Sequence, residues 1–144
     1  MAILDKKTQD KIDNLRFNSN QYFLKEREKY YEMKKEAWNL YPEPKNNWNE
    51  SYSLAKDIFE SYLFEEKKTE TIEWLNIMIH SNNELHYFDD DCLFNIAKYK
   101  FRVKEYEESL KKFKEVVKEA GMRYFEDEDE IYIDFYLHPE NYIK

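Results

Sequence analysis

Glycine occurs once in these 144 residues, proline three times and cysteine once. So few turn formers argue against a sheet of many short hairpins and favour long uninterrupted helices. The lone cysteine, Cys92, excludes an intramolecular disulfide, and its neighbours Leu93, Phe94 and Ile96 suit a small buried apolar residue better than a catalytic thiol. No run of about eighteen apolar residues exists, so no membrane-spanning helix is expected. The opening MAILDKKTQDK lacks the apolar stretch and cleavage site of a signal peptide, and the expected location is the cytoplasm.

Chemical signatures are sparse as well. There is no glycine-rich phosphate loop, and Asp89 to Asp91 lack the alternating ligands and central glycine of a calcium loop. His80, His86 and His138 are too scattered for a ready zinc site, so solvated loop histidines are expected. Abundant Asp and Glu leave a carboxylate-based hydrolase open but single out no pair. The expectation is a protein that is not an enzyme and carries no cofactor or metal.

Aromatic residues are plentiful at 18%, charged residues reach 38%, and the formal net charge is -8. The rings supply a core despite low mean hydropathy, and about 70% of the unfolded surface of a chain this size can be buried. One all-α domain spanning residues 1–144 is expected. The negative charge disfavours nucleic acid and anionic membranes as partners and favours a basic protein surface.

Apolar spacing predicts two helices between Leu4 and Leu40, with a break at Asn18 to Asn20 and a stop at Tyr41 before Pro42-Glu43-Pro44. Asn49 or Ser51 is expected to cap a helix with the stripe Leu54, Ile58, Tyr62 and Leu63. After a turn at 65–69, a further helix carries Ile72, Leu75, Ile77, Met78 and Ile79 and stops at Ser81-Asn82-Asn83. Asp89, Asp90 and Asp91 open the next helix, lined by Leu93, Ile96, Ala97 and Phe101. Its partner presents Tyr106, Leu110, Phe113, Val116, Val117 and Ala120. The tail IYIDFYL fits a strand or a helix equally. Trp48 reads as packing of its own loop or as an interface anchor, and Trp38 and Trp74 as core or near-core.

Three hairpins in a row invite a search for repeats. Leu93, Ile96, Ala97, Tyr106, Ser109, Phe113 and Val116 follow the order of large and small residues in a tetratricopeptide repeat, with Ala97 and Ser109 where two helices approach closely. Positions equivalent to Val116 recur as Met78 and Ala37, at intervals of 38 and 41 residues. Thr71 and Leu75 then stand for Ser109 and Phe113 in the second hairpin, and Tyr30 and Lys34 in the first. Antiparallel helix hairpins stacked as a short tetratricopeptide-like solenoid are the expected architecture.

The segments AWNLYPEPKNNWNES and EAGMRYFEDEDEIYIDFYL resemble a family of short bacterial tetratricopeptide-like proteins often encoded beside polymorphic toxins, including those of contact-dependent inhibition and Rhs systems. The likeness rests on Pro42, Glu43, Pro44, Lys45 and Trp48, then on Ala120, Gly121, Phe125, the acidic run and Tyr132, over roughly residues 20 to 137. It departs from the family at Ala97 and Phe59, where a glycine is usual. The resemblance implies a cytoplasmic immunity protein that neutralises a cognate toxin domain. Asp89, Asp90, Asp91, Glu126, Asp127, Glu128, Asp129 and Glu130 are the candidate partner-binding residues, as carboxylates that steer a basic toxin domain. An adaptor that holds an extended peptide is the alternative.

Overall fold

The computed structural model describes residues 3–83 and 86–144. Every regular element among them is helical: α1 Lys6–Ser19, α2 Arg27–Leu40, α3 Asn49–Phe64, α4 Lys68–Asn83, α5 Asp89–Arg102, α6 Tyr106–Ala120 and α7 Glu130–Leu137. The chain divides into two compact units, Met1–Leu85 and His86–Lys144. No helix among the described residues is long and apolar enough to cross a membrane.

In the first unit α3 is the central helix and packs against both α2 and α4. Its expected stripe is buried, and Tyr52, Ala55 and Phe59 join it, so the helix is covered over most of its circumference. Trp48 is the N-cap in place of Asn49 or Ser51, and the Ser51 hydroxyl donates back to the Trp48 carbonyl at 2.6 Å. On α4 the inward face is Thr71, Trp74, Leu75 and Met78, whereas Ile72 is exposed. α4 ends at Asn83, within the expected polar run Ser81-Asn82-Asn83, and the Ser81 hydroxyl bonds to the Ile77 carbonyl inside the last turns of the helix.

The expected break at Asn18 to Asn20 is present: α1 ends at Ser19 with Asn20 as its C-cap, and the reversal runs over 20–26. Ser19 is buried and returns its hydroxyl to the Arg16 carbonyl at 2.7 Å, which satisfies it locally. Asp5 caps α1, accepting from the Thr8 amide. Trp74 is buried and Trp38, half-buried, meets it edge-on at 5.6 Å.

The second unit is an α5–α6 hairpin closed by α7, so the tail left open by its periodicity is a helix. Phe94 and Cys92 lie deeper than Leu93 and Ile96, a rotation of α5 relative to the expected stripe. Phe94, Phe101, Phe113, Phe125, Tyr132 and Phe135 form the core. The predicted close approach is present: Ala97 and Ser109 are both fully buried, and the Ser109 hydroxyl donates to the Ala97 carbonyl at 2.7 Å.

The three hairpins bury the same register. Ser109, Phe113 and Val116 match Thr71, Leu75 and Met78, and match Tyr30, Lys34 and Ala37; all nine are buried. The turns of the second and third hairpins also coincide. The Glu66 amide bonds to the Leu63 carbonyl and the Lys67 amide to Tyr62, and 38 residues later Lys104 bonds to Phe101 and Glu105 to Lys100. Both are Schellman closures, which need a left-handed residue, and with so little glycine the chain uses Glu66 at φ 59° and Lys104 at φ 67°.

That choice has a measurable cost, since a side chain in the left-handed region is destabilising. Glu66→Gly and Lys104→Gly are each expected to raise the unfolding free energy by about 0.5 to 1 kcal/mol in urea titrations. A loss of stability in both would contradict the turn assignment. Burial also holds several phenols neutral: Tyr30, Tyr31 and Tyr132 are raised above the ordinary tyrosine value, Tyr31 by burial and then by its bond to Glu65, and Tyr41 is pushed up to about 12 by burial. The unfolded chain loses these protons near pH 10 while the folded chain keeps them, so stability falls as pH rises from about 10 towards 12. Tyr41→Phe is expected to flatten that decline in pH-dependent melts.

Candidate functional site

The nominated carboxylates fall on two segments of the second unit. Asp89, Asp90 and Asp91 occupy the first turn of α5, where the helix dipole favours negative charge, but the N-cap itself is Phe88. Asp89 lies 3.3 Å from the Nδ1 of His86, and the Asp91 carboxylate and carbonyl both accept from Asn95. The triplet is therefore partly absorbed into helix initiation.

The second segment is held more firmly. Gly121, at φ 71°, ends α6 while its amide still bonds to the Val117 carbonyl, and Phe125 inserts against Phe94 and Phe113 at centroid separations of 5.2 and 5.3 Å. From there the chain runs along one face of α5. Phe94, Lys98 and Arg102, four residues apart, meet Phe125, Glu128 and Asp129 in turn. The Lys98 ammonium, buried on a residue only 3% exposed, donates to Glu128 at 2.9 Å. Arg102 lies 3.5 Å from Asp129 and donates through Nε to the Tyr132 hydroxyl at 2.9 Å. Asp129 also caps α7, accepting from the Ile131 amide.

Five consecutive acids thus do two jobs. Glu128 and Asp129 are spent on fixing the segment, while Glu126, Asp127 and Glu130 are exposed and have no ion pair among the described residues. The structure keeps Glu126 to Glu130 on one short run after α6, separate in sequence from Asp89, Asp90 and Asp91 at the start of α5.

A second polar feature, missed in the sequence, lies in the first unit. An open groove of about 480 Å³ is lined by Arg16, Phe17, Asn20, Lys34, Ser53 and Asp57. At its mouth Asp13 and Glu50 both accept from the Gln9 amide, at 2.9 and 2.7 Å. Asp57 receives Arg16 at 2.8 Å and Lys34 at 3.7 Å. Burial, with Arg16 nearby, holds the Lys34 amine below the usual lysine value despite Asp57. The signal was present in the register, which sets Lys34 at a core position.

The Pro42 to Trp48 segment is a brace. Lys45 Nζ donates to the carbonyls of Tyr41 and Trp38 at 2.7 and 3.2 Å, closing the end of α2, and Trp48 Nε1 donates to the Pro42 carbonyl at 2.9 Å. Trp48 thus packs its own loop. Cys92 is buried, His80 stands on α4 and not in a loop, and no three His, Cys, Asp or Glu among the described residues are placed to hold a metal ion. No family model, curated protein or solved structure matches the chain.

The bracing of 126–130 can be separated from its exposed charge. Glu128→Ala removes a charge-assisted hydrogen bond from the buried Lys98 ammonium and is expected to cost about 2 kcal/mol in denaturant unfolding. Glu126→Ala is expected to change stability by no more than about 0.5 kcal/mol.

Proposed function

We propose that this chain is an immunity protein of tetratricopeptide-like hairpins that acts in the cytoplasm, where it binds a cognate toxin domain and blocks its active site or its access to substrate. It is a binding protein and not an enzyme. The observation that carries the reading is the run 126–130, in which Lys98 and Arg102 hold the backbone while Glu126, Asp127 and Glu130 are left exposed and unpaired among the described residues. A fixed patch of like charge steers a basic partner and loses little conformational entropy on docking. The net charge of -8 acts in the same direction. The residues behind the family resemblance support the reading less directly, because Lys45, Trp48 and Gly121 each have a structural task.

An adaptor for an extended peptide is the second reading, favoured by the open groove beside α1 and α3. Binding of many unrelated peptides in place of one tight partner would select it.

The test is co-expression with the toxin domain encoded immediately upstream, scored by growth and by recovery of a stoichiometric complex. Rescue is the expected result. Glu126→Lys with Glu130→Lys is expected to slow association about tenfold at low salt, and much less at high salt. Absence of both rescue and complex would remove the toxin reading.

A further inference from the structure

Where the other two hairpins bury Phe113 and Leu75, the first buries Lys34, 4% exposed. An ammonium at a core position needs compensation, and this one has little. Its one carboxylate is Asp57, whose Oδ2 lies 3.7 Å away, beyond hydrogen-bond distance. That same oxygen already accepts from Arg16 Nη2 at 2.8 Å, so two cations share a single carboxylate.

Arg16 donates to both Asp57 and the Ser53 hydroxyl through Nη2, and its side chain lies beside the Tyr41 hydroxyl. Buried charges are ordinarily paired, and here an ammonium and a guanidinium lining one groove depend on the same carboxylate oxygen.

We propose that the groove between α1, α2 and α3 is a binding site for a single carboxylate, received by Lys34 and Arg16. One added carboxylate gives the two cations that share Asp57 a second acceptor. A guanidinium presents its nitrogens in a plane that matches the two oxygens of a carboxylate. Asp13 and Glu50 at the mouth repel more highly charged anions, so a monocarboxylate is preferred to phosphate. The exposed ring of Phe17 lies at the same groove and offers an apolar contact to the body of the ligand. This inference does not depend on the toxin reading.

The test is a titration of the isotopically labelled protein, followed by NMR at the Arg16 Nε–H and the Ser53 amide, with acetate at constant ionic strength. Chloride and phosphate serve as controls, and a blocked peptide with one internal glutamate separates a free acid from a partner's side chain. Saturable shifts with acetate or the peptide are expected, weakened about tenfold or more in Lys34→Met. No saturable shift, an equal response to chloride, tighter binding of phosphate, or unchanged affinity in a folded Lys34→Met protein would overturn the proposal. Should Lys34→Met fail to fold, Arg16→Gln, read at the Ser53 amide, decides the matter: weaker acetate binding supports the site and unchanged binding overturns it.

Discussion

The ammonium of Lys98 is enclosed by the core of the second unit, where a cation is costly without an acid beside it. Glu128 is that acid, and reaching it requires the chain after Gly121 to turn back along α5. Phe125 then enters the aromatic cluster, Asp129 arrives where it can cap α7, and Tyr132 comes within reach of Arg102. The position of α7, the aromatic core and the presentation of the exposed acids are tied to this buried charge.

The same constraint acts in the first unit with a different outcome. Lys34 is as deeply buried as Lys98, yet its carboxylate is farther away and is shared with Arg16. One unit has thus used a buried lysine to lock a segment, and the other has left a buried lysine short of acceptors in an open groove. An apolar residue at either position would be the simpler choice for stability. The difference in pairing is what separates a structural charge from a candidate binding charge.

Much of the fold was legible in the sequence. The pattern of Leu54, Ile58, Tyr62 and Leu63 marked α3, and the proline pair after Tyr41 marked the end of α2. The small pair Ala97 and Ser109 forecast a close helix contact, because no longer side chain fits there. Polar clusters marked the ends of α1, at Asn18 to Asn20, and of α4, at Ser81 to Asn83, while Ser19 and Ser81 return their hydroxyls to helix carbonyls. The tail helix was ambiguous because Ile131, Ile133, Phe135 and Leu137 alternate like a strand, and only packing on the aromatic cluster decides it. The site was legible in its acids and not in its bases. A run such as Glu126 to Glu130 stands out as a string of letters, whereas Lys98, Arg102 and Arg16 gain meaning only when distant segments meet.

A double-mutant cycle on Lys98→Met and Glu128→Gln, read by equilibrium unfolding, tests the central claim most directly. If the buried pair holds the 126–130 segment in place, the coupling energy is about 2 to 3 kcal/mol, and the double variant is more stable than Glu128→Gln alone. Additive effects, with coupling near zero, would show that the acid run is positioned by something other than Lys98.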